Sequence, residues 1–311
     1  LIAVILILPF SFVASTSAET IAIKAGKLVD PEAGTTSSGQ IILVNGSKIE
    51  GVGPDLDIPT GASVIDLSDH TVLPGLVESH THMLLNMDPE KHTDYYYTTL
   101  IQPTAYRAIE GVANARSMLE CGFTTIRDMG NVAYYGDTDL RMAIEAGIVP
   151  GPTMITSGRI IAPFGGQLRL QPERPDLAEP EYFFADTKDE LKKAIRENIH
   201  YGATIIKIVV DDQKYIYSVD DIAFVVEEAK RAGFKVAAHA VTQQGFHNAA
   251  AAGVDSIEHG FVATDEDLKL ARDNNVVLVG TDVDERAARL WGFTDVKETR
   301  SQLIDRIQRA H

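Results

Sequence analysis

Two histidines separated by one residue, His80 and His82, close the run Leu-Pro-Gly-Leu-Val-Glu-Ser-His-Thr-His that begins at Leu73. On a β-strand side chains alternate between faces, so these two imidazoles point the same way. At the C-terminal end of a buried strand such a pair can share one metal ion, because a neutral imidazole nitrogen is a good ligand for zinc and its neighbours. Alone, the pair would read as surface histidines near a loop. Three later apolar runs repeat the pattern: Ala203 to Val210 carries Lys207, Phe234 to Ala240 carries His239, and Val254 to Gly260 carries His259. A lysine flanked by Ile205, Ile206, Ile208, Val209 and Val210 is costly unless it is paired, chemically changed or able to snorkel to the surface. Buried amines lose their charge readily, and an uncharged amine can take up carbon dioxide as a carbamate. The two oxygens of a carbamate suit a bridge between two metals.

In this order, with His80-Thr81-His82 following Pro74-Gly75 and then Lys207, His239 and His259, the chain resembles the amidohydrolase superfamily. The binuclear branch, with a carboxylated lysine on the fourth barrel strand, fits best. The segments Gly122 to Gly130 (GFTTIRDMG) and Ala252 to Gly260 (AGVDSIEHG) are similar to the imidazolonepropionase-like group, which includes prolidase-like dipeptidases and carboxypeptidases. The resemblance runs from about Ile21 to the end of the chain. It implies two divalent metal ions, zinc first among them, with His80 and His82 on one, His239 and His259 on the other, and carboxylated Lys207 between. It also implies a metal-bridging hydroxide, since metal binding lowers the pKa of water from about 15.7 to about 7.

The family's general base is an aspartate at the end of barrel strand eight, expected here beyond His311. Asp282, in Gly280-Thr281-Asp282, imitates the family's Gly-Ser/Thr-Asp sequence. The strand count puts it on strand seven, so it is read as a decoy. The expected activity is cleavage of C–N amide bonds in dipeptides (Xaa-Pro or other) or N-acyl amino acids. The alternatives are an imidazolone or cyclic-amide hydrolase using the same metals, and a non-catalytic metal-binding fragment. His92, with Tyr95, Tyr96 and Tyr97, lies in the loop after the first barrel strand that could line the pocket. His92 and Tyr97 there, and Gln167 in a loop after the third strand, are the candidate substrate contacts. Many relatives have His in place of Gln167 and Tyr or His in place of Val241, departures that bear on how a substrate carboxylate would be held.

A formal net charge of −16 over 311 residues argues against nucleic acid and anionic membranes as partners and leaves a small molecule or dipeptide, with a homo-oligomer open. Residues 1–9 are almost continuously apolar yet too short to span a bilayer, and a Ser- and Ala-rich stretch follows. This reads as a partial signal peptide over residues 1–18, hence export to a periplasm or beyond, with no span in the mature chain. The single cysteine, Cys121, cannot form an internal disulfide and is read as a small packing residue at a helix end.

The elements that must position the ligands follow from punctuation. Residues 19–70 read as a small β-domain with strands at Ile21 to Ala25, Gln40 to Asn45 and Lys48 to Val52. Residues 71–311 alternate helix, glycine and strand, which predicts a parallel sheet closed as a (β/α)8 TIM barrel whose chemistry lies at the strand C-termini. Thr187 and Glu190 form a capping-box signature, and Gly233 and Gly253 close two later helices. Ala105, Ile109, Val112, Ala115 and Leu119 mark the apolar face of an earlier one. Seven strands are expected: Val72 to Ser79, Thr124 to Asp128, Thr153 to Ser157, Thr204 to Val210, Lys235 to His239, Ser256 to His259 and Val276 to Gly280. By this rhythm the eighth strand is expected beyond His311 and so is expected to be missing from this chain. Asp128 and Asp211 are polar strand ends without a role, and His70, His200 and His247 read as surface or orienting residues.

Overall fold

A computed structural model describes residues 20–91, 93–282, 288–289 and 296–310. The signal-peptide segment and His92 lie outside the described residues. The chain forms two compact units, residues 1–74 and 75–311.

The first unit is one four-stranded sheet of β1 (Thr20–Asp30), β2 (Thr35–Asn45), β3 (Lys48–Gly53) and β4 (Ser63–Val72), in the order β3-β2-β1-β4. β1 and β2 pair antiparallel, as do β2 and β3, while β4 runs parallel to β1. Ala22, Ala25 and Ile42 are its buried apolar residues. β4 corrects the sequence reading. Thr71 and Val72, expected to open the first barrel strand, pair instead with Lys27 and Leu28 of β1. Proline lacks a backbone N–H, and Pro74 separates this ladder from the strand carrying the histidines.

The second unit continues with β5 (Leu76–Thr81), α1 (Tyr95–Leu100), α2 (Thr104–Glu120), β6 (Phe123–Asp128), α3 (Gly136–Glu145), β7 (Thr153–Thr156), β8 (Ile160–Ala162) and β9 (Tyr182–Phe184). Then come α4 (Lys188–His200), β10 (Ile206–Val209), α5 (Val219–Arg231), β11 (Val236–Ala240), α6 (Gln243–Ala252), β12 (Ser256–His259), α7 (Asp265–Asp273), β13 (Val277–Val279) and α8 (Val296–Ala310). All its strand pairs are parallel, in two runs, β5-β6-β7 and β13-β12-β11-β10-β8-β9. The expected third barrel strand is broken at Ser157-Gly158-Arg159, so that β7 pairs with β6 while β8 pairs with β10. The amide of Thr204 donates to the Thr156 carbonyl at 2.7 Å and joins the two runs. Among the described residues no pairing links β13 to β5.

Alternation sorts the core. Ile206, Ile208, Val236, Ala238 and Ile257 pack outward with Leu191, Ile195, Ile222, Val225 and Phe246 of the helices. Lys207, Ala237 and Glu258 occupy the intervening positions. Capping boxes open α4 (Thr187 with Glu190), α5 (Ser218 with Asp221) and α7 (Thr264 with Asp267). Gly253 ends α6 at φ +72°, the left-handed cap expected of it.

Two side-chain expectations fail. Ile109 is 70% exposed, because α2 turns Arg107, Gly111 and Ala115 inward and Arg107 forms a buried ion pair with Glu181. Cys121 is exposed just past the last turn of α2 and not buried in a packed position.

Candidate functional site

The five residues selected from sequence spacing line one cavity of about 500 Å³ at the C-terminal ends of the parallel strands. His80 lies on β5 and His82 just beyond it, Lys207 on β10, His239 on β11 and His259 on β12. Register places Val209 beside His239 and Ala240 beside His259. Simple alternation would send His259 away from Glu258. His259 instead adopts φ +73°, and its ring lies 4.4 Å from that of His239 and 5.0 Å from that of His80, centroid to centroid. A left-handed non-glycine residue is strained, and this one turns its imidazole back into the cavity.

Hydrogen-bond partners fix the tautomers. Nδ1 of His80 is 2.7 Å from Oε2 of Glu258, and a carboxylate can only accept, so the proton sits on Nδ1. Nδ1 of His82 donates in the same way to the carbonyl of Gly130 at 2.8 Å. Both Nε2 atoms are therefore bare, and they face each other at 3.2 Å. Two lone pairs at that distance repel unless a cation lies between them. Ligands about 2.05 Å from one ion, at tetrahedral to right angles, stand about 2.9–3.4 Å apart. Burial, then the charge of Lys207, lowers the pKa of His80 to about 4 against the pull of Glu258. Burial and His80 lower that of His82 to about 3. Burial and His239 hold His259 well below the ordinary range. Three imidazoles are thus neutral and ready to ligate at pH 7.

Lys207 is 2% exposed, and among the described residues its Nζ has no hydrogen-bond partner. Burial brings its pKa down to about 8, with Glu258 acting in the opposite direction and Arg127 in the same one. An orphaned buried amine beside bare histidine nitrogens fits a metal-bridging carbamate. Glu258 itself is raised by burial but lowered more by the His80 hydrogen bond and by Lys207, His80 and Arg127, reaching about 2. Its Oε1 also accepts from Nη2 of Arg127 at 2.8 Å and from the hydroxyl of Ser256 at 2.7 Å. Nδ1 of His259 lies 2.8 Å from Oγ1 of Thr281.

Sequence reasoning missed Glu258 and Arg127, whose partners lie far along the chain, and also Asp212, which lines the cavity; Tyr95, from the tyrosine-rich loop after the first barrel strand, lines it too. Gln167 is there as expected, donating through Nε2 to Oδ2 of Asp212 at 2.6 Å. Tyr97 corrects the reading. It sits in the first turn of α1, 43% exposed, beside a separate polar cavity with Asn86, Asp88 and Glu110. Asp282 lies beyond β13, the seventh barrel position, and Nη2 of buried Arg306 holds its Oδ1 at 2.8 Å. A carboxylate so engaged is poorly suited to act as a base. Asp211 anchors the residues leading into α6 by accepting from the amides of Val241 and Thr242 and from the Thr242 hydroxyl, while Asp128 accepts from the Met83 amide. His70 and His247 are exposed.

Residues 71–307 match the amidohydrolase family. Ochratoxinase from Aspergillus niger is 27% identical over 299 residues, covering 86% of this chain. The chain spans 60% of that relative's length. Among solved structures, an amidohydrolase superposes with a TM-score of 0.81 at 27% identity, covering 94% of this chain and 75% of the other. A Xaa-Pro dipeptidase with bound methionine in its active site gives 0.78 at 27%, covering 94% and 76%. These likenesses carry the fold of a (β/α)8 barrel with an accompanying β-domain.

Proposed function

This chain belongs to the amidohydrolase family, and from that membership we propose that it is a metal-dependent hydrolase of amide C–N bonds acting on dipeptides or N-acyl amino acids. One observation carries the reading: two bare histidine nitrogens opposed at 3.2 Å, beside a buried lysine amine without a hydrogen-bond partner among the described residues. His80 and His82 would hold one divalent ion, and His239 and His259 a second. Bound there, such ions polarise a carbonyl and activate water at neutral pH.

Lys207 would bridge them as its carbamate. The neutral Nζ forms a bond to the carbon of carbon dioxide and releases one proton, leaving two ligand oxygens. Met129, Ile160, Val241 and Phe261 give the cavity apolar wall for a substrate side chain. Recognition of dipeptides is supported by the likeness to a Xaa-Pro dipeptidase. Export is proposed from the apolar run at residues 1–9 and the small residues after it. No helix among the described residues is long and apolar enough to cross a membrane.

The test is a panel of dipeptides and N-acyl amino acids assayed with the metal-loaded protein, the chelated protein, and the chelated protein resupplied with zinc. Hydrolysis lost with chelator and restored by zinc supports the proposal. Hydrolysis indifferent to chelator refutes it.

A further inference from the structure

We propose that Asp212 is a direct metal ligand alongside His239, adding a carboxylate to the four histidines and Lys207. The inference rests on the metal-dependent reading above and extends it to a residue that spacing did not select. Oδ2 of Asp212 is 2.8 Å from Nε2 of His239. That separation is close to the lower end of the range for two ligands of one ion. His239 is only 7% exposed, yet among the described residues its Nε2 has no aligned hydrogen-bond partner, the Asp212 contact included. Two acceptors aimed at a common point have this geometry; an N–H donating to a carboxylate would be aligned.

The neighbouring Asp211 provides the contrast. Its nearer oxygen is 3.8 Å from Nε2 of His239, and both its oxygens are taken by the amides of Val241 and Thr242, just before α6. Asp211 therefore anchors the chain that leads into α6, and within the three-residue group Asp211, Asp212 and His239 the carboxylate next to the His239 nitrogen is that of Asp212. Gln167 orients it by donating to the same oxygen at 2.6 Å. Asp212 also stands at φ +85°, where a β-carbon is costly and glycine is at ease. An aspartate kept in that conformation, 28% exposed at the cavity wall, is accounted for by what its carboxylate holds.

Two variants separate ligation from folding. Asp212→Asn keeps the shape and removes the charge, whereas Asp212→Gly removes the side chain and relieves the backbone. Zinc stoichiometry and affinity are measured by equilibrium dialysis, with the absorption spectrum of the cobalt-substituted protein as the report on coordination. Both variants should keep one ion at wild-type affinity and bind the other more than about 100-fold more weakly, beyond the 10–100-fold typical of a group that only orients a ligand. Their cobalt spectra should change in shape. A loss of about 100-fold or less in Asp212→Gly, or a wild-type cobalt spectrum, overturns the assignment while leaving the metal-dependent reading intact. A wild-type protein that binds no zinc removes both.

Discussion

His80 and Glu258, 178 positions apart in sequence, are joined by a hydrogen bond of 2.7 Å that decides which nitrogen of His80 faces the cavity. The carboxylate is itself anchored by Arg127 and Ser256, so the imidazole is held in one tautomer and one orientation. Such outer partners of a ligating histidine raise its basicity and fix its aim.

Replacing this carboxylate by its amide tests that role. Glu258→Gln should weaken zinc binding about 10–100-fold while the protein stays folded. Competition against a chromophoric chelator reads the affinity, and circular dichroism reads the fold. Affinity within a factor of two of wild type would show that the hydrogen bond does not prepare His80 for a metal.

Removing one of the opposed nitrogens should relieve a repulsion in the metal-free protein. His82→Ala should therefore lose zinc from the first site and, after chelation, be no less stable than wild type by more than the lost packing, about 1–2 kcal/mol. Urea unfolding of the chelated proteins gives the comparison. A metal-free variant destabilised by much more than this would mean that His82 is held by attractive contacts instead.

Lys207→Ala should abolish binding of at least one zinc, with partial rescue by formate or acetate standing in for the carbamate oxygens. Mass spectrometry of the native protein should show the carbamate as an added 44 Da, the mass of carbon dioxide taken up by the amine. Unchanged zinc content in the variant would remove Lys207 from the bridge.

A pH effect is expected away from the cavity. Burial raises Asp137 to about 7, against the amides of Gly158 and Thr138 that favour its charged form. Burial and the charge of Asp137 raise Asp128 as well, so the two titrate as a pair. The folded state therefore binds protons that the unfolded state has released. Asp137's contribution to stability is present below pH 3.8 and is lost as pH rises through about 7, with a slope of at most about 1.4 kcal/mol per pH unit. Asp137→Asn should flatten the profile between pH 4 and 7. Superimposable profiles of variant and wild type would contradict the shift.

The parts of the site legible in sequence are those that local periodicity governs. A period of two put His80 and His82 on one face, and apolar runs carrying Lys207, His239 and His259 named three strands that converge on the cavity. The helix ends were legible because Thr187 with Glu190, and Gly253, act through bonds within one turn. Glu258 and Arg127 were not, since their value lies in contacts across 131 and 178 positions. Strict alternation would also have misplaced His259, which reaches the cavity through a left-handed backbone. Thr71 and Val72 went to the wrong strand because an apolar run does not say which neighbour it will pair with. Among the tyrosines after the first barrel strand the turn of α1 decides, and sequence does not: Tyr95 lines the cavity and Tyr97 faces another.

The central claim is that these side chains are assembled to hold metal, and metal content tests it most directly. The protein, purified without added metal and then dialysed against micromolar zinc, should carry two ions per chain by atomic emission. His80→Ala and His239→Ala should each carry fewer. A wild-type protein with no tightly bound metal under these conditions would contradict the account.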